Sequence, residues 1–261
     1  MRYYTKFIIL AVIALVSCEE TELDNLPEAR VVMDAILYAD QPVSISISKE
    51  ILFKREEDDN NFAIEGLEVT INDGSQSFVL NDDGNGVYSS DEVVDSTKTY
   101  TVEFVYNGDV IFSESNVPSK PKDYVASKTS IEVQPFTGGG PPSFSSETVD
   151  LTWSNDNLSY YIVVITNLET DPILINDSDF ERPSFRTEPL VSDNHDVGAM
   201  DFKYYGQHSM VLYKVNPEYA ALYEDPGDNS LTIKTPFSNV TNGLGIFTAV
   251  NSDTLYIDVH D

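Results

Sequence analysis

Val43-Ser44-Ile45-Ser46-Ile47-Ser48 alternates apolar and hydroxyl side chains with a strict period of two. Successive side chains of an extended chain point to opposite faces, so Val43, Ile45 and Ile47 share one face and the serines the other. A helix would scatter the same residues around its circumference. The run therefore predicts an antiparallel strand with one packed and one wet side. Related patterns recur along the chain: Tyr100, Val102, Phe104 and Tyr106 fall on one face of residues 100–106, residues 148–153 alternate up to Trp153, and residues 160–166 are almost continuously β-branched and aromatic. Between such runs stand Asn72-Asp73-Gly74, Asn81-Asp82-Asp83-Gly84-Asn85-Gly86 and Asn107-Gly108, whose Asn, Asp and Gly residues tolerate the positive φ of tight hairpins.

Short strands at this spacing predict an all-β fold of two β-sandwich domains, immunoglobulin- or fibronectin-like, with one short helix near the C-terminus. Pro118 and Pro121 break the pattern, which places an immunoglobulin-like sandwich at 31–119 and a second β-rich domain at 120–261. Trp153 is expected to plug the space between the sheets of that second domain. The helix spans 217–223: Asn216 is a cap candidate, Pro217 suits the first turn, and Tyr219, Leu222 and Tyr223 form its apolar stripe. Further strands are expected at 66–71, 77–80, 109–115, 202–205, 209–214 and, last, 254–259, with one at 124–133 shared with the second domain. Residues 54–61 and 137–146 read as loops, and 176–199 resists assignment.

The N-terminus carries the strongest functional signal. Arg2 and Lys6 precede an unbroken apolar run at 7–16, which ends in Leu15-Val16-Ser17-Cys18. The run is about half of the ~20 apolar residues a helix needs to cross a bilayer, so residues 1–17 read as a cleaved export signal. The Leu-x-small-Cys ending resembles the lipobox of bacterial lipoproteins, in which the cysteine is diacylated and becomes the first mature residue. Cys18 is the chain's one cysteine. No intrachain disulfide is possible, and a thiolate is the nucleophile that forms a stable thioether to a diacylglyceryl group. Residues 18–30 come next as an acidic tether, led by Glu19, Glu20 and Glu22, a cluster that resembles the signal sending lipoproteins of Bacteroidota to the cell surface.

Charge limits the partners. Asp plus Glu number 44 against 15 Lys plus Arg, a formal net charge of −29. Such a surface repels nucleic acid and bare anionic lipid. Yet 41% of residues are hydrophobic and 11% aromatic, too many for a disordered acidic tail.

The lipobox, the early sandwich with its Asp83-Gly84-Asn85-Gly86-Val87-Tyr88 turn, the Pro217-Glu218-Tyr219 helix and the stretch Ser238-Asn239-Val240-Thr241-Asn242-Gly243-Leu244-Gly245-Ile246-Phe247 together resemble the Bacteroidota lipoprotein family catalogued as domain of unknown function 4249. The resemblance runs through nearly the whole mature chain and is most specific in the last stretch. It implies an outer-membrane lipoprotein often encoded beside TonB-dependent receptors, acting as a lid or capture partner in nutrient uptake, and it carries no catalytic residues. Read physically, Gly243 and Gly245 permit close backbone approach in a buried turn while Leu244, Ile246 and Phe247 pack inward.

A search for chemistry yields little. His195, His208 and His260 lie far apart and lack a zinc spacing, and Gly138-Gly139-Gly140 lacks the lysine and helix of a phosphate loop. Asp82, Asp83 and Asn85 offer hard oxygen ligands for calcium in one turn, as do residues 56–60 in one loop, without the spacing of an EF-hand. Tyr160-Tyr161 and Tyr204-Tyr205 could stack on sugars, with one member of each pair facing the core. Asp95-Ser96-Thr97 and Asp253-Thr254-Leu255 look like the O-glycosylation pattern of the phylum.

The expectation is a non-enzymatic binding module: a lipoprotein at the outer membrane, facing the exterior, that partners a TonB-dependent transporter in nutrient capture. The alternative is a structural or adhesive surface lipoprotein without a transport role.

Overall fold

The computed structural model describes residues 29–51, 62–135, 147–176, 184–224 and 237–261. The export signal, Cys18, Glu19, Glu20, Glu22, the tether up to residue 28, and the loops expected at 54–61 and 137–146 lie outside the described residues. In chain order the strands are β1 (Val31–Tyr38), β2 (Pro42–Lys49), β3 (Thr70–Asn72), β4 (Ser77–Val79), β5 (Asn81–Gly84), β6 (Val87–Val93), β7 (Thr99–Tyr106) and β8 (Asp109–Asn116). They continue with β9 (Lys122–Ala126), β10 (Ser130–Glu132), β11 (Thr148–Ser154), β12 (Tyr160–Asn167), β13 (Ser184–Arg186), β14 (Asn194–Gly198), β15 (Gly206–Val215) and β16 (Leu244–His260). A short helix α1 (Pro217–Ala220) runs on as a tighter turn, Ala221–Tyr223.

One large sheet spans the molecule in the order β13-β12-β15-β16-β1-β2-β6-β5, with β10 paired to the end of β16. A four-stranded sheet, β4-β3-β7-β8, covers one half, and a three-stranded sheet, β14-β11-β9, covers the other. The all-β expectation of two sandwiches and one short helix therefore holds, with the addition that the sandwiches share a sheet. The first core joins Met33, Ile45, Ile47, Ile71, Tyr88 and Val102; the second joins Leu151, Trp153, Tyr161, Val163, Met210 and Leu212.

The 17-residue β16 belongs to both. Its first part pairs in parallel with β1, from Val32 opposite Leu244 to Tyr38 opposite Val250. From Val250 to Val259 it pairs antiparallel with β15. Phe247 and Ala249 enter the first core, whereas Ile257 and Val259 enter the second. All four have odd positions, so one face of a single strand serves both cores. The sequence pattern places the last strand at 254–259 and a turn at 243–245; in the structure the strand begins at Leu244. Gly245 makes this possible. It holds φ +99°, and a Cβ there would stand 2.0 Å from the Met33 carbonyl oxygen.

Other expectations need correction. Residues 124–133 do not form one strand: β9 pairs with β11 and β10 pairs with β16, in different sheets. Residues 81–84 are an edge strand rather than part of the turn, and only Asn85-Gly86 turns, with φ of 53° and 73°. Tyr204 makes an isolated bridge to Leu174 in place of the strand expected at 202–205. Asn216 does not cap the helix through its side chain. Its amide instead donates to the Asn116 carbonyl (2.7 Å), Ser115 Oγ (3.0 Å) and the Ala249 carbonyl (3.3 Å), tying β8 to β16.

Candidate binding groove

Because both cores lie on one side of the large sheet, the even-numbered residues of β16 and their neighbours face away from them. On this second face Ile162, Val215 and Val250 are nonetheless buried, with Ile36, Val164, Tyr213 and Tyr219 packed around them. Strand pairing sets the array: Tyr38 lies opposite Val250, Val250 opposite Val215, Tyr213 opposite Ile162, and Val164 opposite Arg186. Where β15 ends at Val215, Asn216 and Pro217 start the helix, which lays Tyr219 over the open face. The result is a groove of about 550 Å³, within the range typical of small-ligand sites.

Its floor is aliphatic, formed by Ile36, Ile162, Val164, Val215 and Val250. Its walls are tyrosines. Tyr38 meets Tyr213 edge to face, with ring centroids 6.2 Å apart, and Tyr219 lies 5.9 Å from Tyr223. Burial raises the Tyr213 and Tyr219 phenols above the usual range, the latter also through its hydrogen bond with Tyr223. Both therefore stay neutral hydroxyls at physiological pH. Ser184 and Arg186 from β13 form the rim. The Arg186 guanidinium sits 5.7 Å from the centre of the Tyr223 ring, a distance at which a cation is attracted to the ring face.

Of the residues expected from the sequence to form sites, the calcium candidates are engaged in the hairpin. Asp82 accepts the Gly66 N–H (2.6 Å) and the Gly84 N–H (2.9 Å), and these donors hold its carboxyl below the usual range. Asp83 accepts from Ser89 Oγ at 2.5 Å, and the Asn85 N–H donates to Glu65 Oε1 at 2.8 Å. Among the described residues no group of three or more His, Cys, Asp and Glu side chains is placed to hold a metal ion.

The histidines are dispersed. His195 stacks on Phe185, His208 is buried against Phe202, and His260 is exposed near the C-terminus. In the Tyr160-Tyr161 pair, Tyr161 enters the second core beside Trp153 and Tyr160 faces the groove side. In the Tyr204-Tyr205 pair, Tyr204 is buried and Tyr205 donates to the Val133 carbonyl at 3.0 Å. Asp95 folds back onto the Thr97 N–H and hydroxyl, and Asp253 accepts the Thr254 N–H. No helix among the described residues is long and apolar enough to cross a membrane.

Tyr38, Tyr213, Tyr219 and Arg186 were not expected to form a site. The available signal was residues 160–166, where Ile162 and Val164 are as apolar as Tyr161, Val163 and Ile165. A strand apolar on both sides needs a partner on both sides.

A family model described as Domain of unknown function (DUF4249) matches residues 19–255. No curated protein matches the chain. Among solved structures the chain is similar to the "Crystal structure of DIP-gamma IG1+IG2", at 11% identity over 90% of this chain and 99% of that one, with a TM-score of 0.20. It is also similar to a "putative carbohydrate binding protein from Bacteroides uniformis ATCC 8492", at 11% identity over 87% and 98%, with a TM-score of 0.23. Both scores lie well below the level that establishes a shared topology.

Proposed function

This chain belongs to the DUF4249 family, and from that footing we propose that it is a binding module of the outer membrane. It is anchored through a lipid on Cys18, faces the cell exterior, and partners a TonB-dependent transporter barrel in nutrient capture. The observation that supports a binding role is the groove on the open face of the shared sheet. Its aliphatic floor, tyrosine walls and single guanidinium rim suit it to holding a ligand. Three of its sides come from β1, β12 and β15, elements fixed by the two cores beneath them, so the site is preformed. The lipobox and the acidic residues Glu19, Glu20 and Glu22 support the anchor and its outward orientation.

The test is affinity purification of the tagged full chain from detergent-solubilised outer membrane, followed by mass spectrometry. A transporter barrel recovered with the wild type and lost with Cys18→Ala is the expected result. Palmitate labelling of the wild type but not of Cys18→Ala would establish the anchor. A chain recovered free of acyl groups and without any barrel would overturn the reading.

A further inference from the structure

Among the described residues that line it, the groove contains one formal charge, and it is positive, in a protein with 44 acidic and 15 basic residues. Arg186 makes no ion pair among the described residues; its contact is the Tyr223 ring. A cation–π contact uses none of the guanidinium N–H donors, and these can hold a carboxylate through two parallel hydrogen bonds. Next to it the partly exposed Ile36 and Val164 offer only dispersion and apolar burial, while Tyr38 and Tyr213 present ring surfaces.

From this we infer that the groove binds an amphipathic small molecule with a flat apolar body and one carboxylate, the body laid against the Tyr38 and Tyr213 rings and the carboxylate on Arg186. This assignment rests on the binding reading above and specifies its ligand class. The overall charge of the protein acts against it. A field of net −29 draws cations, so non-specific association would rank a cationic ligand first and an anionic one last. A preference for the anion has to come from a local contact. At physiological salt, screening over ~8 Å weakens the distant carboxylates more than a direct guanidinium contact.

The experiment is calorimetric titration of the detergent-purified full chain with naphthylacetate, naphthylacetamide and naphthylethylamine, which carry the same flat body with negative, neutral and positive charge. The anion is expected to bind about tenfold more tightly than the amide, with the amine weakest. Arg186→Gln should erase the preference for the anion while keeping binding of the amide, and Arg186→Lys should restore part of it. Tyr213→Ala should weaken all three ligands. Arg186 is exposed, so Arg186→Gln is expected to leave the fold intact, with an unchanged circular dichroism spectrum as the check.

Equal binding of the three ligands, a preference that survives Arg186→Gln, or no binding at millimolar concentration would overturn the inference. Concentration-dependent dimerisation abolished by Tyr213→Glu would also overturn it, by giving the face to a second copy of the chain. A flat titration from a chain that still brings down a barrel removes the ligand class and leaves the transporter reading standing. Charge-ordered binding without a barrel does the reverse.

Discussion

The Asn239 side chain takes the place of a strand for Phe247: its Nδ2 donates to the Phe247 carbonyl at 2.7 Å and its Oδ1 accepts the Phe247 N–H at 3.0 Å. Residue 247 lies on the stretch of β16 that pairs with β1 on one side and has not yet met β15 on the other. Asn216 and Asn242 extend the same solution, donating to the carbonyls of Ala249 and Val110. In the most specific stretch of the family resemblance, two amides thus tie the chain to both strands: Asn239 to β16 at Phe247 and Asn242 to β8 at Val110.

Asn239→Ala would leave both polar groups of a fully buried residue without a partner. A loss of about 2–4 kcal/mol of stability is expected, read as a lower urea midpoint with an unchanged slope. Asn239→Asp keeps the acceptor but sets a carboxylate oxygen against the Phe247 carbonyl, so it should destabilise as well.

Glycines with positive φ separate by what surrounds them. Gly108 (φ +89°) has open space where a Cβ would be, so Gly108→Ala should cost only the backbone strain, about 1 kcal/mol. At Gly245 the new Cβ would meet the Met33 carbonyl oxygen at 2.0 Å, inside the β1–β16 pairing. Gly245→Ala should cost about 3 kcal/mol or more, and thermal unfolding of the two variants side by side checks the ordering.

Acid tests two further sites with separate windows. Asp73 receives a hydrogen bond from Lys98 and two backbone N–H bonds, from Gln76 and Ser75, each at 2.8 Å. Lys98 first, then these amides, lower its carboxyl from the usual 3.8 to about 2. The pair's contribution is therefore complete above 3.8 and is lost as the pH falls towards 2. Lys98→Met should raise the Asp73 midpoint in a carboxyl NMR titration and flatten the fall in stability across that window.

His208 behaves in the same sense at higher pH. Its Nδ1 lies 3.0 Å from the Gly206 carbonyl and its Nε2 3.2 Å from Asn167 Nδ2, so the Nδ1–H tautomer donates to the carbonyl and Nε2 accepts from the amide. Burial lowers its pKa below the usual 6.5. Neutral imidazole stabilises the fold above that value, and stability falls as the pH drops below it, when a proton on Nε2 would face the Asn167 donor. The decline as the pH falls below 6.5 should shrink in His208→Gln.

The parts of this fold legible in the sequence are those set by neighbours in the chain. The Val43–Ser48 alternation, the Asn107-Gly108 hairpin and the position of Trp153 depend on local period and turn chemistry. The joining of the two sandwiches was hidden because the β1–β16 pairing links opposite ends of the chain, and because Gly243 and Gly245 look like a turn. Asn81-Asp82-Asp83 also looks like a turn, yet an edge strand accommodates such polarity. The groove was half visible, in Ile162 and Val164. Arg186 could not be placed because it sits in a three-residue strand specified by its pairing with β12 rather than by its own composition.

The shared strand makes a final prediction about cooperativity. Two sandwiches linked by a flexible connection would unfold in two steps, each following its own core. Here β16 supplies Phe247 and Ala249 to one core and Ile257 and Val259 to the other, so losing either core frees a strand that the other needs. The single tryptophan, Trp153, is buried in the second core, which makes its fluorescence a local reporter for that half. Ile71→Ala truncates a side chain buried in the first core and should cost about 3 kcal/mol. The Trp153 urea transition is expected to shift with it, by the same amount as the far-ultraviolet circular dichroism transition. If Trp153 kept its wild-type midpoint while the dichroism signal split in two, the cores would be thermodynamically separate and β16 would be a connection rather than a coupling element.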